Sequence, residues 1–315
     1  MTPAEPGSPD VTASQRVRGR DRAEPRTMTD RLAVRKTYKL YVGGAFPRSE
    51  SGRSYQVTAA DGSFLANASR ASRKDVREAV VAARGAFTGW ARRSAYNRGQ
   101  ILYRIAEMLE GRREQFVDEI AASEGVDRAN AERAVAAAVD RWVWYAGWAD
   151  KITQIAGSAN PVAGPYFNFS VTEPTGVVAV MAPQASSLLG LVSVVAPVIV
   201  SGNTAVVVAS QQRPLPAISF AEVLATSDLP GGVVNLLTGH TAELAPVLAA
   251  HMDVNAIDLT GVPADARTPL EEAAAESVKR VLPAPATEPD WFPDPGTERL
   301  LAPLEVKTVW HPMGI

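Results

Sequence analysis

The side chains able to do chemistry are few and scattered. The chain contains no cysteine, which removes thiolate nucleophiles, disulfides and thiolate metal or iron–sulfur sites. Its three histidines are His240, in a loop before a predicted helix, His251, at that helix's end, and His311, in the C-terminal tail. They lack the spacing of a metal-ligand set, so surface or capping roles are expected and no metal site is predicted. Ser186-Ser187 stands at a predicted strand-to-helix turn without a Gly-x-Ser-x-Gly elbow; helix capping explains the pair. Trp142, Trp144 and Trp148 form a cluster that is read as helix packing rather than as a binding surface. No Gly-x-Gly-x-x-Gly fingerprint occurs.

Composition sets wide bounds around these residues. The 315 residues are 46% hydrophobic and 21% charged, enough for one large domain or two smaller ones. A formal net charge of -2 gives no general attraction to nucleic acid or membrane. The arginines between positions 16 and 35 are interspersed with Asp and Glu and lack interleaved aromatics, so they read as a solvated tail. Residues 1–37 as a whole read as a disordered tail without the apolar core of a secretory signal, and Met28 is a candidate alternative start. The most apolar stretch, 190–209, is broken by Pro197 and Gly202-Asn203. It reads as a buried helix and then a buried strand, not a membrane span, and a cytoplasmic protein is expected.

The elements that must position any site follow from periodicity. Tyr38-Lys-Leu-Tyr-Val42, Gly43-Gly44 and Ala45-Phe46 form a hairpin signal, and a second extended pair flanks Asp61-Gly62. Ser72 and Asp75 form a variant capping box, followed by Val76, Ala79, Val80, Ala83 and Phe87 at helical spacing. Further helices are predicted through Ile101–Leu109, around Phe116 and Ile120, and over 129–153. From Val171 the pattern changes to short Val-rich strands alternating with helices. Strands are predicted at 177–181, 204–209, 233–237, 256–259 and 278–282, with helices at 188–200, 217–227, 241–251 and 270–277. Apolar strands alternating with helices imply a parallel sheet covered on both faces, and right-handed crossovers make it doubly wound. Residues 283–299 are rich in proline and read as an extended linker. The alternating run Leu304-Glu-Val-Lys-Thr-Val-Trp310 then reads as a strand whose backbone needs a partner somewhere in space.

The order of certain motifs resembles the aldehyde dehydrogenase superfamily. They are Glu173-Pro-Thr-Gly-Val-Val178, Ala196-Pro197, Ser201-Gly-Asn-Thr204, Val206-Val-Val208, Pro214-Leu215, Gly232-Val-Val-Asn-Leu236, His251-Met-Asp-Val254 and Leu259-Thr-Gly261. Leu40-Tyr-Val-Gly-Gly-Ala-Phe46 resembles the family's first strands, and Pro303-Leu-Glu-Val-Lys-Thr-Val-Trp310 its oligomerisation strand. The resemblance implies an α/β fold of that family's dinucleotide-binding type, a doubly wound parallel sheet with N-terminal helices and a small bridging, oligomerisation sheet. The implied organisation is a tail at 1–37, N-terminal hairpins of the bridging sheet at 38–70, and a helical part of the cofactor domain at 71–170. A Rossmann-like cofactor domain at 171–282, a linker at 283–299 and the oligomerisation strand at 300–315 complete it. A full family member carries its catalytic domain where this chain has the linker.

The resemblance also assigns roles, and most are vacated. The family's thiolate attacks an aldehyde, hydride leaves to nicotinamide, and water cleaves the thioester; no thiol exists here. The family's oxyanion Asn falls on Ala185 in Pro183-Gln-Ala-Ser-Ser187, and one lost donor of this kind costs on the order of 100-fold in rate. The general-base Glu falls near Ala284. The ribose-binding Lys falls on Val208, with Gln211 replacing an acidic ribose partner, and a family Thr-Gly-Ser turn becomes Thr260-Gly261-Val262. A vestigial dinucleotide site is implied at Ser210, Gln211, Gly239, Thr260 and Gly261. No cofactor is required, and weak NAD(P) binding is the most that is implied. The chain further resembles the silent second lobe of two-lobed aldehyde dehydrogenases. The implied function is a non-catalytic structural or regulatory subunit, a pseudoenzyme, partnered by a full-length aldehyde dehydrogenase paralogue or by itself, and not by nucleic acid or membrane. The alternative is an NAD(P)-dependent oxidoreductase acting on aldehydes through another nucleophile, and a third reading is a decayed product without function.

Overall fold

The computed structural model describes residues 1–2 and 36–314, and the fold is that of 36–314. Residues 3–35, which include the arginine-rich stretch and Met28, lie outside the described residues. Two short hairpins come first. Val42 and Ala45 exchange both backbone hydrogen bonds, each 3.0 Å, around Gly43 and Gly44. Both glycines have positive φ, as a two-residue hairpin turn of this hand demands. β1 (Ser54–Thr58) and β2 (Phe64–Ser69) pair antiparallel. The helices follow: α1 (Arg73–Ala91), α2 (Ala95–Glu110), α3 (Arg113–Glu124), α4 (Arg128–Trp148) and the short α5 (Ile152–Ala156). At the start of α1 the Ser72 side chain accepts from the Lys74 and Asp75 N–H groups while Asp75 accepts from the Ser72 N–H, a complete capping box.

After β3 (Ser158–Asn160) and β4 (Tyr166–Pro174), the chain runs through β5 (Val177–Met181), α6 (Leu189–Val200), β6 (Thr204–Val208), α7 (Leu215–Ala225) and β7 (Val234–Leu237). It continues through α8 (Thr241–Ala249), β8 (Ala256–Asp258), α9 (Arg267–Ala275) and β9 (Arg280–Leu282). These last five strands form one parallel sheet in the order β7-β6-β5-β8-β9. The order reverses at β5, which makes the crevice beyond the carboxyl ends of β5 and β8 a topological switch point. The strands β5 to β8 are mostly apolar because both of their faces are buried, while the edge strand β9 is partly exposed. Val178, Val180, Ala205, Val207 and Leu236 join a core with α2, α3, α4, α6 and α7. Val177, Ala179, Met181, Val206, Val208 and Leu237 join a second core with α1, α8 and α9. Trp142 stacks on Phe220 with ring centroids 5.7 Å apart inside the first core, in keeping with the packing reading of that cluster.

The structure departs from the sequence-based expectation at four places. The bridging sheet is not built from the N-terminal hairpins: β1 and β2 stand as their own two-stranded sheet, and Tyr41 instead bridges Leu236 at the β7 edge. The C-terminal strand, β10 (Leu304–Pro312), finds its partner in β4 over nine residue pairs, in the order β10-β4-β3. The span 71–170 is therefore not helical to its end, and α4 stops at Trp148 rather than near 153. Finally, residues 283–297 are not a loose linker. They form a packed strap that crosses the carboxyl edge of the sheet and ends in α10 (Glu298–Leu301), with Trp291 only 8% exposed inside the first core.

Candidate functional site

The carboxyl ends of parallel strands share one edge, so the loops after β5, β6, β7, β8 and β9 meet there. Between them lies a groove of about 480 Å³ lined by Gln184, Ala185, Gln211, Arg213, Thr260 and Gly261 among others, with Glu288 of the strap on one wall. The β8 loop can press against the β5 loop only because residue 261 is glycine. Its N–H donates to Met181 O at 2.9 Å, and a Cβ would stand 1.8 Å from Ala182 O.

Four successive backbone N–H groups point out of the turn that starts α6, and all four meet carboxylates of this same chain. Gln184 N and Ala185 N donate to Glu288 Oε2 at 3.1 and 2.8 Å, and Ser186 N donates to Glu288 Oε1 at 2.9 Å. Ser187 N and Oγ donate to Glu124 Oε1 at 2.7 and 2.6 Å. A helix N-terminus carries unpaired donors and partial positive charge, so a carboxylate is the natural acceptor. The Ser186 hydroxyl accepts from Gly190 N at 2.9 Å in the first turn of the helix, whereas the Ser187 hydroxyl donates to Glu124 and caps no helix N–H. The Ala185 methyl, where the resemblance places an oxyanion donor, has nothing to donate.

The strap that brings Glu288 here is held along its length. Arg267 donates to Pro285 O at 2.6 Å, and the buried guanidinium of Arg141 donates to Trp291 O at 2.6 Å, Pro293 O at 2.9 Å and Ser193 Oγ at 3.1 Å. Burial lowers the Arg141 pKa from its ordinary range. The Trp291 indole N–H donates to Glu288 Oε1 at 3.3 Å, and the Arg299 guanidinium lies 5.3 Å from the Trp291 ring centroid. Arg299 also bonds Asp258 Oδ2 at 2.7 Å and Thr260 Oγ1 at 2.8 Å, which ties the strap's far end to the β8 loop.

Of the residues assigned by resemblance, Ala185, Gln211, Thr260 and Gly261 reach the groove. Ser210 turns away and donates to Gln184 O at 2.9 Å. Gly239 packs on Ala71, and Ala284 packs against the second core. The polar groups that remain bind one another. Gln211 N donates to Gln184 Oε1 at 2.9 Å, Thr241 N donates to Gln211 Oε1 at 3.3 Å, and Thr260 Oγ1 is shared between Asp258 and Arg299. Val208 is buried and offers no cation. These residues do not fit the ribose and diphosphate contacts the resemblance would require. The histidines stay apart. His240 precedes α8 beside Tyr55, His251 accepts from Asp253 N at 3.2 Å with its pKa lowered by burial, and His311 is exposed on β10. Among the described residues no group of three or more His, Asp or Glu could hold a metal ion, and no helix is long and apolar enough to cross a membrane.

Sequence reasoning missed Glu288, Glu124, Arg141 and Arg299. The available signal was Trp291-Phe292 inside the proline-rich segment, since two large apolar rings rarely sit in a solvated linker.

Comparison with known proteins agrees with this architecture. The aldehyde dehydrogenase family profile matches residues 46–283. The chain is 33% identical over 264 residues to the cytosolic 10-formyltetrahydrofolate dehydrogenase of Pongo abelii, covering 80% of this chain and 28% of that protein. It is 32% identical over 248 residues to an aldehyde dehydrogenase of Davidiella tassiana, covering 77% and 49%. Among solved structures, the NAD+ complex of the aldehyde dehydrogenase from Bacillus cereus superposes with a TM-score of 0.74 at 27% identity, over 78% of this chain and 50% of that one. The chain thus spans half or less of the length of these relatives, and it belongs to the aldehyde dehydrogenase family.

Proposed function

We propose that this protein is a non-catalytic member of the family, a cytoplasmic subunit that assembles with a full-length aldehyde dehydrogenase. The observation that carries the reading is the direct path from β9 to β10. Where the resemblance expects a catalytic domain, the strap 283–297 crosses the sheet edge and delivers the chain straight to β10, already paired along β4. No thiol exists to attack a carbonyl, and Ala185 offers no side-chain donor to a developing oxyanion.

Two surfaces support assembly. β10 is an edge strand with Val306, Val309 and Trp310 exposed, and an exposed apolar edge is a template for pairing with another chain. A groove of about 450 Å³ between α1 and α8 adds Arg77, Pro246 and Val247. The test is co-expression with a cysteine-bearing aldehyde dehydrogenase of the same genome, read by native mass spectrometry. A mixed complex is expected, and the isolated protein should yield no NADH from an aldehyde panel. A stable solitary monomer that oxidises aldehydes, with a covalent adduct mapped to its own side chain, overturns the reading.

A further inference from the structure

β10 presents its outer edge in a fixed phase. An antiparallel pair alternates between residues that exchange both backbone hydrogen bonds and residues that exchange none. At the two ends of the β10–β4 pairing, Thr175 N donates to Pro303 O at 3.2 Å and Met313 N donates to Pro165 O at 2.8 Å. The odd-numbered residues of β10 therefore turn their backbone groups toward β4. The even-numbered ones, Leu304, Val306, Thr308, Trp310 and Pro312, turn theirs outward, to an edge that no strand covers among the described residues. The one residue of that set without an N–H, Pro312, stands at the end of the strand. Val306 and Trp310 are 62% and 58% exposed, and Trp310 stands edge-on to Tyr166 with ring centroids 5.7 Å apart.

We propose that a second copy of β10 fills this edge, antiparallel about a twofold axis through Thr308. Charge and length select that register. Centred on Thr308, the strand Leu304–Pro312 pairs with its copy over its whole length. Thr308 meets Thr308, Val306 meets Trp310, Leu304 meets Pro312, and Glu305, already bonded to Arg280 at 3.1 Å, meets His311. Every outward N–H then has an outward C=O opposite it. Acid–base and aromatic–β-branched pairs stabilise cross-strand neighbours, and like charges directly opposite destabilise them. A centre at Lys307 sets that cation against its own copy, and a centre at Val309 sets Lys307 against His311. A centre at Val306 carries residues 309–312 of each strand past Pro303 toward α10, where no strand awaits them. The Thr308 register joins the two small sheets into one, in the order β3-β4-β10-β10-β4-β3. This pairing rests on the reading of β10 as the edge where assembly begins, and it names the partner of that edge in the isolated protein.

The test uses the isolated protein, with no other aldehyde dehydrogenase present. Sedimentation velocity over about two decades of concentration should show a reversible monomer–dimer equilibrium. Thr308→Pro removes an outward N–H and leaves the ladder to β4 its donors, because proline is tolerated on an edge strand whose N–H faces away from its neighbour. It should raise the dimer Kd about tenfold or more and leave the far-UV circular dichroism unchanged. The chain has no cysteine, so a single introduced thiol reads the axis directly. Hydrogen-bonded cross-strand residues hold their Cα atoms about 5.5 Å apart, within disulfide reach. Under oxidised glutathione, Thr308→Cys should close an intermolecular disulfide about tenfold faster than Val306→Cys, whose position faces Trp310 and not itself. A wild-type protein that stays monomeric, a dimer indifferent to Thr308→Pro, or equal cross-linking rates in the two cysteine variants overturns the proposal. Should Thr308→Pro fail to fold, the cross-linking comparison decides alone. A monomer that still enters a mixed complex with a full-length aldehyde dehydrogenase sinks the self-pairing and leaves the proposed function standing; a self-paired dimer that enters no mixed complex does the reverse.

Discussion

Replacing Trp291 with alanine separates a packed strap from a linker. The indole is 8% exposed, belongs to the core that contains residues of α4 and α6, lies 5.3 Å from the Arg299 guanidinium and donates to Glu288 at 3.3 Å. A buried Trp removes about 200 Å² of mostly apolar surface from water, worth about 5 kcal/mol at ~25 cal/mol per Å². Measured Trp-to-Ala core truncations cost about 3–5 kcal/mol. For domains of roughly this size each kcal/mol moves Tm by about 2–4 °C, so a fall on the order of 10 °C is expected. Thermal unfolding followed by far-UV circular dichroism reads it, with Trp291→Phe as a control that keeps a ring and loses less. A strap that docked as an independent local unit would cap the cost at its own opening free energy, and the global Tm would stay still. A shift within about 2 °C would refute the claim that residues 283–297 are part of the core.

Three further outcomes follow from buried polar groups. Asn203 accepts from Gly176 N at 2.7 Å and donates to Pro303 O at 2.8 Å and Ser201 Oγ at 2.9 Å, linking the starts of β5 and β10; Asn203→Ala should cost about 3 kcal/mol by chemical denaturation, and Asn203→Asp, which cannot donate, at least as much. Arg299→Met leaves Asp258, 2% exposed, without its cation and should cost about 3–5 kcal/mol, much of it recovered by adding Asp258→Asn; equal losses in the single and double variants would contradict this. Burial raises the Glu119 pKa, against lowering by hydrogen bonds from Ser219 and Gln115 and by the Lys36 charge. An acid raised on folding contributes its stability below the unfolded pKa of about 4.3 and loses it as pH rises through the folded value. Glu119→Gln should therefore gain Tm over wild type as pH climbs from about 4 to 7, checked by calorimetry across that range, whereas a pH-independent difference would speak against it.

The parallel sheet was legible because β5 to β8 are short, mostly apolar runs buried on two faces and bounded by Gly, Pro or Asn. The predicted span 177–181 coincides with β5, and 204–209 overruns β6 by one residue. The groove was partly legible for a topological reason: loops after parallel strands converge whatever their sequence, so Gln211, Thr260 and Gly261 arrive together. Ser210 and Gly239 sit in the same loops but turn inward, and loop orientation has no periodic signature. β4 went unseen because Tyr166-Phe-Asn-Phe-Ser-Val-Thr-Glu-Pro does not alternate cleanly, both faces of that small sheet being partly exposed. Its pairing partner lies at the far end of the chain. The strap went unseen because its proline content is that of a loop, while its packing depends on Arg141, a buried cation on α4 that no local pattern marks.

The strap also changes where a partner can bind. An uncovered α6 terminus and apolar core face would by themselves argue for a partner at the sheet's carboxyl edge. Glu288 satisfies three of the exposed donors there, Trp291 fills the apolar face, and Arg299 neutralises Asp258. Each is a contact that a neighbouring domain would otherwise have to supply, and leaving any one unmet costs on the order of 1–5 kcal/mol. With those needs met within the chain, that edge has little left to gain from a partner. The unmet demand lies elsewhere, along the outer edge of β10, where the backbone donors and acceptors of an edge strand run beside exposed Val306, Val309 and Trp310. The proposed assembly is therefore expected to grow from the small antiparallel sheet and not from the carboxyl edge of the parallel sheet.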